Sequence, residues 1–127
     1  MICVDSSALL AIVLLEPEAE RCRDAMASDP DVIISAATVA EALIVAGRRG
    51  VGESMAQLLE VAGLRVIDLT KADALRAAEA YSVWGKGVHR AHLNYGDCFA
   101  YELASRHRCP LLFVGDDFSK TDVESLL

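Results

Sequence analysis

Short apolar runs alternating with longer helix-patterned segments predict an α/β fold: a central parallel β-sheet of about four to five strands, flanked by helices on both faces. The strand runs are Ile2–Val4, Val32–Ile34, Val66–Ile67 and Pro110–Val114. They are β-branched or uniformly apolar, as strands buried on both faces are, and lack the alternation of a half-solvated strand. The 127 residues carry no internal repeat, linker or low-complexity stretch, so residues 1–127 are expected to form one domain.

Ile2–Val4 opens the chain as a buried strand. Ser6–Leu15 follows as a mostly apolar helix. Pro17 interrupts it before a polar helix over about 18–27, because proline lacks the donor a helix interior needs. Ser28-Asp29-Pro30-Asp31 is a turn cluster, and Val32–Ile34 the next strand. Ala36 to Ala46 returns to helical chemistry and stops near Gly47-Arg48-Arg49-Gly50, basic residues beside glycine. Met55, Leu58, Leu59 and Ala62 repeat at helical spacing until Gly63. After the Val66–Ile67 strand, Thr70-Lys71-Ala72-Asp73 resembles a capping box opening an alanine-rich helix to Val83. A glycine- and base-containing loop covers 85–92, a helix runs from Tyr95 to His107, and Pro110–Val114 is the last clear strand.

With 54% hydrophobic and 24% charged residues the chain has the composition of a folded domain, not a disordered one. A formal charge of −7 argues against a general electrostatic grip on nucleic acid or anionic lipid. It leaves room for a nuclease, because bound divalent cations reverse the local field where a phosphate would sit. Cys3, Cys22, Cys98 and Cys109 form no C-x-x-C pair and read as reduced, mostly buried thiols. The start has no basic segment, and the apolar run Ala8–Leu15 is too short to span a bilayer. The expected location is the cytoplasm.

Four acidic positions stand out. Asp5 follows the first strand and precedes a helix, where an N-cap is the plain reading. Glu41 interrupts Thr38–Val45, otherwise almost wholly apolar; it lies either on a narrow solvated stripe or in a cleft with a partner, since unpaired burial would cost several kcal/mol. Asp97 comes three residues after Asn94, a spacing that also suits simple capping. Asp116 and Asp117 follow the last strand, where an Asp pair usually makes a turn. The joint placement says more. In an open parallel sheet, sites form outside the carboxyl ends of the strands where strand order reverses, and all four positions can face that crevice. Gathered carboxylates repel one another unless a cation joins them, and oxygen-only ligands suit Mg²⁺ or Mn²⁺.

At these residues the sequence resembles PIN-domain ribonucleases, and more closely the VapC toxins of bacterial toxin–antitoxin pairs. The matching stretches are Val4-Asp5-Ser6-Ser7-Ala8-Leu9, Ala40-Glu41-Ala42, Leu93-Asn94-Tyr95-Gly96-Asp97-Cys98-Phe99-Ala100-Tyr101 and Leu111-Leu112-Phe113-Val114-Gly115-Asp116-Asp117-Phe118, then Thr121-Asp122. The stretch around Asp97 is the most specific, and the resemblance covers essentially the whole chain. It implies a single PIN-like domain and a metal-dependent endoribonuclease that cuts structured RNA, tRNA or ribosomal RNA, and so stops translation. It also implies a homodimer and a small VapB-like antitoxin. The family's core acids match Asp5, Glu41 and Asp97; the fourth position is less fixed. Asp116 is preferred there because it comes directly off the strand end, with Asp117 the alternative. The expected catalytic set is thus Asp5, Glu41, Asp97 and Asp116. The expected metal ligands are Asp5, Asp97 and Asp116, with Glu41 and Asp117 as further candidates.

Other features carry less. Lys86, His89, Arg90 and His92 form a basic loop that suits either RNA phosphates or plain solvent. His89 and His92 have metal-type spacing, usually a coincidence in a lone pair. Cys98 reads as a buried helix thiol rather than a nucleophile. Trp84 and Tyr81 read as packing at a helix end or dimer contact, with base stacking a weaker alternative. A phosphoryl-accepting Asp5 would want a carboxylate two residues on, where Ser7 stands. Alternatives to a toxin are a PIN-fold RNA-processing nuclease and a non-catalytic PIN-fold binding module. An acidic crevice also predicts an inhibitor that inserts a basic side chain, with apolar contacts near Leu9–Leu15 and Val39–Val45.

Overall fold

The computed structural model describes residues 1–127. Its elements are β1 (Ile2–Val4), α1 (Ser6–Val13), α2 (Ala19–Ala27), β2 (Val32–Ser35), α3 (Ala36–Arg48), α4 (Gly52–Val61), β3 (Arg65–Ile67), α5 (Lys71–Trp84), α6 (Tyr95–His107) and β4 (Leu111–Leu112). The strands form one sheet in the order β3-β2-β1-β4. All pairings are parallel, with Cys3 beside Ile33 on one side and Leu111 on the other.

Successive strand residues point to opposite faces, so the sheet feeds two cores. Cys3, Ile33, Leu111 and Phe113 pack with Ala77 and Ala80 of α5 and Cys98, Phe99 and Leu103 of α6. Ile2, Val4, Val32, Ile34 and Leu112 pack with Leu9 and Ile12 of α1, Cys22 of α2, Ala42 of α3 and Met55 of α4. Both faces are therefore covered, as uniformly apolar strands require. The four cysteines are free and buried. No helix is long and apolar enough to cross a membrane.

α3 runs on to Arg48 and α4 begins at Gly52, and two further elements are shorter than expected. The first helix stops at Val13 rather than Leu15, and Leu15 turns left-handed at φ 55° before Pro17. The last strand is ladder-paired only at Leu111 and Leu112, not from Pro110 to Val114. The Val114 N–H leaves the ladder because it donates to Ser7 Oγ at 3.0 Å, which ties the strand end to α1. The chain terminus covers the outer edge of β4: Leu111 N donates to Glu124 O and Leu126 N to Leu111 O.

Candidate active site

From β1 the chain steps outward to β2 and β3, then returns to place β4 on the other side of β1. Strand order therefore reverses between β1 and β4, and the crevice lies off their carboxyl ends. Asp5 leaves β1 at this point, and the Asp116–Asp117 pair follows β4. The N-terminal part of α6 packs against α3, bringing Asp97 and Glu41 to the same place.

Asp5 caps α1. Its Oδ2 accepts from Ser7 N at 3.0 Å and Ser7 Oγ at 2.7 Å. Its Oδ1 is buried with no hydrogen-bond partner. Burial pushes the Asp5 carboxyl up to about 6, hydrogen bonds from Ser7 oppose the rise, and the charge of Glu41 adds to it. Asp97 is the third residue of α6 and forms a reciprocal capping box with Asn94: Asn94 N donates to Asp97 Oδ2 at 2.9 Å, and Asp97 N to Asn94 Oδ1 at 2.8 Å. Burial pushes its carboxyl up to about 7. The Asn94 N–H opposes this, and the charges of Asp5, Asp117 and Glu41 add to it.

Glu41 is half-buried, five residues after α3 begins. Its Oε1 accepts from Ser6 Oγ at 2.8 Å. Its Oε2 lies over Gly96, in the space a Cβ there would fill. Asp116 and Asp117 are both exposed. Asp117 is the one whose charge bears on Asp97. The Asp116 carbonyl accepts from Ser119 N and Ser119 Oγ and so opens the next turn. The charges of Asp5, Glu41 and Asp117 thus bear on Asp97, that of Glu41 also bears on Asp5, and none of the four forms an ion pair with a basic side chain. They do not close into a three-ligand cluster in this arrangement. The donor set still fits a hard divalent cation. It is all oxygen, one buried carboxylate oxygen has no partner, and Mg²⁺ is commonly held by one or two carboxylates with water completing its shell.

His89 Nδ1 accepts from Ala91 N and its ring packs edge-on against Trp84, which makes it a turn residue. His92, Lys86 and Arg90 are exposed. The Cys98 thiol donates to Asn94 O, and burial pushes it up to about 11, far from thiolate chemistry. Trp84 Nε1 donates to Tyr101 OH, which donates to Asp122 Oδ1 at 2.6 Å, so Trp84 joins α5, α6 and the terminus. Three positions escaped sequence reasoning: Ser6, Ser7 and Gly96. The signal for the first two was present, two hydroxyls directly after Asp5.

Residues 2–124 match the PIN domain family. The chain is 43% identical over 129 residues to the protein named Ribonuclease VapC of Mycolicibacterium smegmatis, covering 97% of this chain and 98% of that one. It is 42% identical over 128 residues to Ribonuclease VapC30 of Mycobacterium tuberculosis, covering 97% and 96%. Among solved structures it superimposes on Mycobacterium tuberculosis VapC20, described as a sarcin-ricin loop cleaving toxin, with a TM-score of 0.81, 17% identity, and 99% and 98% coverage. VapBC2 of Rickettsia felis, bound to a promoter DNA fragment, gives a TM-score of 0.71 at 15% identity, with 98% and 96% coverage. These two likenesses concern the fold; the family follows from the match over nearly the whole chain and from the closer relatives. The chain belongs to the PIN domain family, in its VapC ribonuclease branch.

Proposed function

We propose that this protein is a Mg²⁺- or Mn²⁺-dependent endoribonuclease and the toxin of a VapBC-type pair, cutting structured RNA such as tRNA or ribosomal RNA to stop translation in the cytoplasm. One observation carries the reading: two carboxyls, Asp5 and Asp97, are both raised by burial, the charge of Asp5 adds to the rise at Asp97, and no cationic side chain pairs with either. Such an arrangement is costly in a plain folding unit and suits a cation brought from outside.

Asp5 and Asp97 are the principal ligands in this reading. The fourth acid is Asp117 rather than Asp116, because its charge reaches Asp97. A bound divalent ion supplies Lewis acidity toward the phosphate and toward the attacking water. The protein's own part is positional. Ser7 fixes Asp5 through two hydrogen bonds. Ser6 donates to one Glu41 oxygen, leaving Oε2 to orient that water or take its proton. The antitoxin is a small VapB-like protein that places a basic side chain among these carboxylates. Leu15, Leu43 and Ile44 remain exposed beside α1 and α3 and suit its apolar contacts, while Val66 and Leu75 suit a homodimer.

The test is cleavage of total RNA by purified protein after exhaustive chelation. EDTA should abolish cutting, Mg²⁺ or Mn²⁺ should restore it, and Zn²⁺ should not. Cleavage that survives chelation would end the metal reading.

A further inference from the structure

We propose that Gly96 is a positioning residue: the absence of a side chain at the second residue of α6 lets the Glu41 carboxylate lie against that helix next to Asp97. The inference rests on the nuclease reading above.

Glycine weakens a helix, so its place in the first turn of α6 needs a reason. Backbone conformation is not that reason. The positive-φ glycines are Gly50, Gly63, Gly87 and Gly115, and Gly96 is not among them. Space is the reason. A Cβ built on Gly96 would overlap Glu41 Oε2 and Cδ and stand 2.9 Å from Oε1. All three obstructing atoms belong to one carboxyl group at the end of a flexible side chain. A methyl group here would therefore not break the fold; it would push the carboxylate off its seat. That displacement would also strain the 2.8 Å hydrogen bond from Ser6 Oγ to Glu41 Oε1. Gly85 offers the contrast. A Cβ there would overlap the Tyr81 backbone carbonyl and ring, so that glycine serves the fold. Gly96 serves the placement of one functional group, and Ser6 and Gly96 together hold Glu41 from two sides.

The experiment compares the full chain with Gly96→Ala, Glu41→Asp and the double variant. Melting temperature, Mn²⁺-supported RNA cleavage and carboxyl-carbon NMR of Glu41 in metal-free protein are measured for each. Gly96→Ala should melt at or above the parent temperature, since alanine is the better helix former. Its cleavage should fall by about 100-fold, the cost of a misplaced reacting group, and the Glu41 carboxyl resonance should move. In the Glu41→Asp background the shorter side chain withdraws from the added methyl, so the penalty of Gly96→Ala should shrink to a few-fold. Parent-like cleavage by Gly96→Ala, an equal penalty in both backgrounds, an unmoved Glu41 resonance, or lost activity explained by a fallen melting temperature would each overturn the proposal. A parent protein without metal-dependent cleavage would instead defeat the nuclease reading, and the NMR result would still decide the position of Glu41.

Discussion

Asp73 and Asp97 occupy equivalent positions in neighbouring helices and have opposite chemistry. Each is the third residue of its helix, and each closes a reciprocal capping box, with Thr70 and Asn94 respectively. Each accepts the N-cap backbone N–H at 2.9 Å. They are almost equally buried, 4% and 6% exposed. Yet the Asp73 carboxyl is held below its ordinary range, chiefly by the Thr70 N–H and further by Arg106 and Arg76, while Asp97 is pushed up to about 7. Desolvation dominates at Asp97 and is outweighed by the Thr70 N–H at Asp73, and the charged company of the two is opposite. Arg76 pairs with Asp73, and Arg106 lies 3.6 Å from it. Both guanidinium groups also hold Glu102, at 3.0 and 2.8 Å. Asp97 faces only other acids. A capping box is thus a local device with no functional meaning of its own; the neighbours across the fold decide whether it is a staple or part of an active site.

The largest effect should come from breaking the two boxes in turn. Asp97→Asn keeps the cap geometry and removes the charge, and cleavage should fall on the order of 1,000-fold, the several kcal/mol a divalent ion contributes to the transition state. Asp73→Asn should cleave at close to the parent rate and melt lower, because Arg76 and Arg106 lose a partner. Steady-state cleavage and thermal melts of both variants check this, and similar cleavage by the two would erase the distinction.

A smaller effect should separate the adjacent acids after β4. Asp117→Asn should lower cleavage by about 10-fold, the scale of an outer contributor to a metal site. Asp116→Asn should change it little, since its exposed carboxylate makes no hydrogen bond and its one structural contact, the backbone carbonyl, is kept. The reverse order would restore Asp116 as the fourth acid.

The smallest effect is on stability against pH without metal. Asp5 and Asp97 titrate at about 6 and about 7 in the folded protein, above the ~3.9 of an unfolded aspartate. The folded state therefore binds more protons than the unfolded state between those values, and its stability falls as pH rises through them. In EDTA the melting temperature should drop by several degrees from about pH 5 to about pH 8. Asp97→Asn should flatten the decline and Asp73→Asn should leave it, because the depressed Asp73 makes its contribution above its unfolded value and loses it only in acid. Melts across that range with chelator present are the check.

Strand and helix placement was legible because apolar runs and helical spacing are local properties; the strand order that puts the reversal between β1 and β4 is a property of the folded sheet. The short last strand was not legible, because the Val114 N–H is diverted by Ser7, more than a hundred residues away in the chain. The acids at Asp5, Glu41 and Asp97 were legible as candidates through their placement and the family resemblance. Asn94-x-x-Asp97 and Thr70-x-x-Asp73 look alike as strings; Arg76, three residues after Asp73, is a local sign of the difference, while Arg106 reaches Asp73 only through the packing of α5 on α6. Strand position favoured Asp116, whereas the preference for Asp117 rests on the turn after β4, which brings its charge to bear on Asp97. Nothing local marks Gly96, because the side chain it leaves room for lies on α3.

No basic side chain pairs with the crevice carboxylates, and Mn²⁺ binding tests their role most directly. Metal-free parent, Asp97→Asn and Asp73→Asn are titrated calorimetrically at about pH 6.5, within the range where Asp97 exchanges its proton, in two buffers of different ionisation heat. The account predicts Mn²⁺ binding with proton release in the parent and in Asp73→Asn. In Asp97→Asn, affinity should be at least about 10-fold weaker and proton release should diminish. Equal Mn²⁺ affinity in Asp97→Asn and the parent, or binding without proton release, would contradict it.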